Sequence, residues 1–139
     1  MVCFSVYAAS LAITRLYKRL LEPYGLTYPQ FLVVVALARQ EDQTVSQLGE
    51  ALFLESSTLT PLLKRMEAAG MVTRQRDTRD ERVVRLALTP RGMQVAQDIA
   101  CVPLEMLAAS ERELEPLQQM ARELNALSAV LRRYEGAKG

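Results

Sequence analysis

The hydrophobic period of this chain changes at Gly70, and no other feature constrains the fold as much. Before that point, TLTPLLKRMEAAG places Leu59, Leu62, Leu63 and Met66 on one helical stripe. After it, Met71–Arg76 and Arg82–Leu88 alternate as two strands around a polar turn, Asp77–Glu81. Upstream, Thr44-Val-Ser-Gln47 has capping-box form and opens a short helix that runs to about Leu52. Glu55-Ser56-Ser57 then leads into the longer helix. Pro61 removes one backbone donor there and is expected to bend the first turn. Gly70 ends the helix as its C′ residue. Thr89-Pro90 supplies the N-cap and first-turn proline of the next helix. A short helix, a tight turn, a second helix and a hairpin, in that order, form a winged helix-turn-helix.

The flanks are helical. Val2–Glu22 carries Val6, Ile13, Leu16 and Leu20 at helical spacing and is stopped by Pro23 and Gly25. Pro29 suits the first turn of a second helix that carries Phe31–Ala38. A fifth helix is expected from Pro90 to about Ala109, kinked at Pro103. A last one runs from Leu114 to Tyr134, with Leu117, Met120, Leu124, Leu127 and Leu131 on one side. The expected fold is mainly α with a small β-hairpin wing (α+β), in a single domain, 1–139. Residues 44–89 form the winged lobe. Residues 1–40 and 90–139 form flanking helices with more apolar stripe than so small a domain needs, which points to a homodimer.

Composition narrows the class. The longest apolar run, Phe31–Ala38, is too short to cross a bilayer, and no signal-peptide pattern opens the chain, so a cytoplasmic protein without membrane contact is expected. There are 2 cysteines and no histidine, which argues against a disulfide framework and a structural zinc site. No metal or other cofactor is expected. Net charge is +1, but Ser56–Arg91 holds eight basic and four acidic residues and leaves the remainder net negative. A local basic block in a near-neutral chain fits contact with a polyanion.

Double-stranded DNA is the polyanion that the motif order suggests. The fourth helix offers Ser56, Ser57, Thr58 and Thr60 as small donors for bases or phosphates, and Lys64 and Arg65 for phosphate. Arg79 and Arg82, near the hairpin tip, could enter a narrow minor groove. Asp80 is spaced to orient the Arg82 guanidinium through a charge-assisted hydrogen bond.

The wing pattern D-x-R followed by L-T, at Asp80, Arg82, Leu88 and Thr89, resembles the MarR family of winged-helix regulators. CFSVYAASLAITRLYKRLLEPYGLTYPQFLVVVAL and LGEALFLESSTLTPLLKRMEAAGMVTR resemble its organic-hydroperoxide-sensing branch. The similarity runs from about Val2 to Thr89 and thins over the last two helices. It implies a dimeric repressor that docks two recognition helices on an inverted repeat.

The first helix bears on that implication. Cys3, Tyr7, Ser10, Thr14 and Tyr17 step by four, three, four and three, so they share one polar stripe. A thiol at a helix N-terminus gains thiolate character from the dipole and nearby donors. Tyr17 is an obvious donor, yet fourteen residues put it about 21 Å along the axis from Cys3. They can meet only through an antiparallel copy of the helix from a second subunit. Tyr28 could join the same pocket. The resemblance implies that arrangement: the matching cysteine is bonded by two tyrosines of the other subunit, corresponding to Tyr17 and Tyr28, with Tyr7 lining the pocket. Organic hydroperoxide then oxidises the thiol, and DNA is released.

Some members of the branch pair the sensor with a second cysteine, whose position falls near Ala108. Two roles stay open for Cys101: a passive core residue, with a low-molecular-weight thiol as the sensor's reductant, or a thiol brought into disulfide reach by movement around Pro103. Two other functions stay open as well. A MarR-type repressor gated by a small aromatic ligand would leave Cys3 incidental. A thiol peroxidase would need a base or cation near Cys3, and Arg15, Lys18 and Arg19 lie far along the helix.

Overall fold

The structure, a computed structural model, describes residues 1–137. Contacts divide the chain into two compact units, Met1–Val102 and Pro103–Gly139.

The first unit opens with α1 (Val2–Leu21), a 3-10 turn at Glu22–Tyr24 and Gly25 at φ +66°. In α2 (Tyr28–Arg39) the Thr27 hydroxyl accepts from Gln30 N–H, while the Gln30 side chain accepts from Thr27 N–H. This helix is the centre of the core, burying Phe31, Val33, Val34 and Leu37. The same reciprocal cap, Thr44 with Gln47, opens α3 (Val45–Leu52). Next, α4 (Ser56–Ala68) buries Leu59, Leu62, Leu63 and Met66. It continues through Pro61, whose missing N–H leaves the Ser57 carbonyl without its helical donor.

The hairpin is part of a larger sheet. β2 (Val72–Arg76) and β3 (Val84–Leu88) pair antiparallel from Val72↔Leu88 to Arg76↔Val84. On the other edge of β3 lies β1 (Gln43–Thr44), giving the order β1-β3-β2. Two residues carry no readable period, so this strand was invisible in the sequence. Gln43 is buried, and its side-chain amide donates to the Ala36 and Gln40 carbonyls at 2.9 and 2.8 Å, tying the end of α2 to the sheet. The second hairpin strand starts at Val84 rather than Arg82. The reason is that Arg82 and Val83 are spent on the turn, where Val83 N–H donates to the Asp80 carbonyl and Asp77 N–H to the Val83 carbonyl.

The expected helix Pro90–Ala109 is interrupted. α5 (Pro90–Asp98) gives way to a 3-10 turn at Ile99–Cys101 before α6 (Val102–Ala109). Pro103 has no N–H for the Ile99 carbonyl, so the chain tightens on its N-terminal side, although Val102 itself keeps helical geometry at φ −56°, ψ −43°. Val102 N–H takes the Ile99 carbonyl instead. α5 also packs tightly on the Gly70-Met71 segment that leads into β2. The Thr89 hydroxyl accepts from Gly92 N–H and donates to the Gly70 carbonyl at 2.6 Å, and a Cβ built on Gly92 overlaps the Met71 carbonyl. Gly92→Ala is therefore expected to cost about 3 kcal/mol or more, read as a lowered midpoint in urea unfolding.

In the second unit, Glu111 at φ +53° turns the chain into α7 (Leu114–Gly136). None of its residues is buried, and Met120, Leu124, Leu127, Leu131 and Tyr134 are exposed along one stripe. The first ten residues of the chain are equally bare, including Val2, Phe4, Val6 and Tyr7. Among the described residues no single helix is long and apolar enough to cross a membrane.

Candidate nucleic-acid interface and thiol site

The first turn of α4 presents Ser56, Ser57 and Thr58 to solvent, with Thr60 half-buried and Lys64 and Arg65 exposed further along. Ser57, Thr58, Lys64 and Arg65 point away from the leucine stripe that anchors the helix, while Ser56 and Thr60 flank it. The termini of α2, α3 and α5 are closed by a threonine side chain, but Glu55 at the head of α4 makes no such bond. Thr58 N–H turns back to the Glu55 carbonyl at 3.0 Å, which leaves the N–H groups of Ser56 and Ser57 to face an anion.

At the wing tip Asp80 grips Arg82 twice. Arg82 Nε donates to Oδ1 at 3.1 Å and Nη2 to Oδ2 at 3.2 Å, while Arg82 N–H also donates to Oδ1. The Arg82 side chain is nonetheless 91% exposed, so its guanidinium is oriented without being covered. Its side-chain bond, then its backbone N–H, hold the Asp80 carboxyl below the usual carboxylate range. Arg79 is exposed beside it, its N–H donating to Asp77 Oδ1 at 2.7 Å. Sequence reasoning missed the group behind the tip. Arg85 Nε donates to Asp77 Oδ2 at 2.7 Å, and this bond is the largest influence lowering the Asp77 carboxyl.

The thiol residues divide into two places. Tyr17 and Tyr28 meet within one chain, ring centroids 4.6 Å apart, with Tyr28 stacked on Phe31 and Tyr17 tilted against it. Burial raises both phenols above the ordinary value of 10.0, and for Tyr17 the neighbouring Tyr28 raises it further. They remain protonated donors through neutral pH. The folded chain releases these protons later than the unfolded one, so stability falls as pH rises past 10.0. In Tyr28→Phe, Tyr17 is expected to ionise at lower pH than in the wild type, read from the ultraviolet absorbance of tyrosinate.

Cys3 sits exposed on the first turn of α1, and Tyr7 is exposed one turn on. Neither is brought to the tyrosine pair. Cys101 is no core residue: it is exposed in the 3-10 turn, its Sγ 3.6 Å from Tyr24 Oη and 3.7 Å from the Asp98 carbonyl. The sequence held no signal for the Tyr24 contact. Among the described residues no group of acidic, cysteine or histidine side chains could hold a metal ion.

Known proteins resemble this chain throughout. A family model described as Transcriptional regulator SarA/Rot matches residues 15–99. AbsC of Streptomyces coelicolor, a MarR family transcriptional regulator, shares the fold: TM-score 0.82, 23% identity, 94% of this chain and 92% of that one. The organic hydroperoxide resistance transcriptional regulator of Bacillus subtilis (strain 168) is 41% identical over 130 residues, which are 94% of this chain and 88% of the relative. The chain belongs to the MarR family, in the organic hydroperoxide resistance regulator branch. It is a DNA-binding transcription regulator with a winged-helix fold, mainly α with a β wing. Among solved MarR-type structures, reduced AbfR bound to DNA superposes with a TM-score of 0.78 at 33% identity, over 94% of this chain and 91% of that one. A disulfide form of AbfR superposes at 0.67 with 32% identity, over 91% and 88%.

Proposed function

We propose that the protein is a homodimeric repressor that holds an inverted-repeat operator when reduced and releases it when an organic hydroperoxide oxidises Cys3. The observation that carries this reading is the split of one site into two halves. A protonated phenol pair, Tyr17 with Tyr28, lies near one end of α1. An exposed thiol lies near the other, about 21 Å away by helical rise. A second copy running antiparallel along α1 joins the halves, so that each Cys3 accepts from the partner subunit's Tyr17 and the partner subunit's Tyr28. Tyr7 lines the same pocket. The bare apolar side chains of α1 and α7 supply the area for pairing.

The chemistry follows. The Cys3 thiolate attacks one oxygen of the hydroperoxide. A sulfur–oxygen bond forms, the oxygen–oxygen bond breaks, and sulfur is oxidised by two electrons while the hydroperoxide leaves as the alcohol. The sulfenic acid is larger and itself a donor, so the phenol contacts are lost. The α1 pair shifts, and the two α4 helices leave the spacing of about 34 Å that successive major grooves require. A small thiol restores Cys3 through a mixed disulfide, which a second thiol resolves. AbfR, known in reduced, DNA-bound and disulfide forms, lends support.

On DNA, Ser56, Ser57, Thr58 and Thr60 face bases and phosphates, Lys64 and Arg65 face phosphates, and Arg79 and the Asp80-braced Arg82 enter the minor groove. The protein works in the cytoplasm. The test is fluorescence anisotropy on DNA upstream of the protein's own gene, with and without cumene hydroperoxide. Oxidant-dependent release supports the reading, and release that needs no oxidant refutes it.

One observation favours a second reading. A cavity of about 530 Å³ beside Tyr28 is lined by Thr14, Lys18, Glu22, Leu26 and Pro29 among others. A small aromatic ligand seated there would gate DNA binding with Cys3 incidental, and the response would survive Cys3→Ser.

A further inference from the structure

A charge relay runs behind the wing. Arg85 lies on the central strand β3, opposite Thr44 of β1 and Gln75 of β2. On one side its Nε donates to Asp77 Oδ2 at 2.7 Å. On the other its Nη1 donates to the Asp42 carbonyl at 3.3 Å and to the Asp42 carboxylate at 3.4 Å. Asp42 stands just ahead of β1 and α3, at φ +57°. Asp77 stands at the root of the wing loop and spends its other oxygen on the Arg79 N–H. One guanidinium therefore ties the wing root to the segment that enters the helix-turn-helix.

We infer that Arg85 is a positioning residue for DNA binding: by clamping Asp77 to Asp42 it fixes the wing relative to α4, so that Arg82 is presented at a set distance from the recognition helix. The inference rests on the reading that Arg82 contacts DNA. A hinge at the wing root would let the exposed Arg82 swing, and ordering it would then be charged against binding. Clamping removes that cost in advance.

Charge alone predicts the opposite sign for two of the clamp's members. Asp42 and Asp77 are carboxylates on a DNA-binding lobe, and neutralising either makes the protein more positive, which tightens phosphate contact. The clamp predicts weaker binding. Asn is tolerated at the positive φ of position 42, so neither Asp42→Asn nor Asp77→Asn carries a backbone penalty.

The experiment measures the dissociation constant of the full-length protein for a duplex that the wild type selects from a random-sequence pool. Asp42→Asn and Asp77→Asn are each expected to weaken binding about threefold, and Arg85→Ala about tenfold. In an Arg82→Ala background, Arg85→Ala is expected to cost less than about twofold. Tighter binding by the asparagine variants overturns the clamp, and so does an equal loss from Arg85→Ala in both backgrounds, the mark of a merely structural role. If Arg82→Ala alone leaves affinity unchanged, the reading of Arg82 fails and the clamp fails with it. If Arg82→Ala weakens binding but Arg85→Ala adds independently, only the clamp fails.

Discussion

A Cys3→Ser protein is expected to bind operator DNA within about twofold of the wild type and to keep binding it at hydroperoxide concentrations that empty the wild type completely. The small ground-state effect follows from similarity: a serine hydroxyl is close to the thiol in size and accepts from the partner subunit's phenols as the sulfur does. The complete loss of response follows from chemistry, because a hydroxyl is not oxidised by a hydroperoxide under conditions that convert a thiolate. Anisotropy titrations of both proteins, with a parallel sulfenic-acid label, check the two halves of the expectation. Cys101→Ser should keep a reversible response. Cys101 is exposed, and its Sγ faces Tyr24 and Asp98 rather than the first turn of α1. Loss of reversibility in that variant would make Cys101 part of the sensor cycle.

The second large effect is at the apolar stripe of α7. If α7 pairs two subunits as proposed, Leu124→Glu with Leu131→Glu is expected to give a monomer in sedimentation velocity and to weaken operator binding by about a hundredfold or more. Each leucine is already exposed in the single chain, so the pair of charges leaves the chain's own fold intact, and circular dichroism should not change. The loss on DNA is large because two linked half-sites gain from effective concentration, and a monomer has only one. A variant that stays dimeric and binds like the wild type would move the interface elsewhere.

Much of this architecture is written locally. The Thr44–Gln47 box, Gly70 and Thr89-Pro90 each fix an element boundary through neighbours three residues away or fewer, and those boundaries stand where the sequence reading put them, while the equally local Thr27–Gln30 box at the head of α2 went unread. Asp80 and Arg82 pair across two residues, so that contact was legible too. What escaped depends on partners distant in sequence. β1 exists because β3 offers a free edge some forty residues later. The Arg85–Asp42 contact spans 43 residues and the Tyr24–Cys101 contact 77. Pro103 announced a break in the fifth helix, but not that it would appear one turn earlier, where the missing donor is felt. Phe53 closes α3 at φ +57°, a conformation that its side chain disfavours and no residue pattern signals. The tyrosine pair is legible only in part. Helical spacing puts Tyr17 on the Cys3 stripe, but its meeting with Tyr28 requires the fold of α1 back against α2.

The claim beneath all of this is that the sensor is assembled between subunits. A crystal structure of the reduced homodimer measures it directly, through the distance from each Cys3 Sγ to the tyrosine oxygens around it. Sγ is expected within about 3.5 Å of Oη on both the partner subunit's Tyr17 and the partner subunit's Tyr28. A dimer in which Cys3 stays out of hydrogen-bond reach of every tyrosine of its neighbour would contradict it.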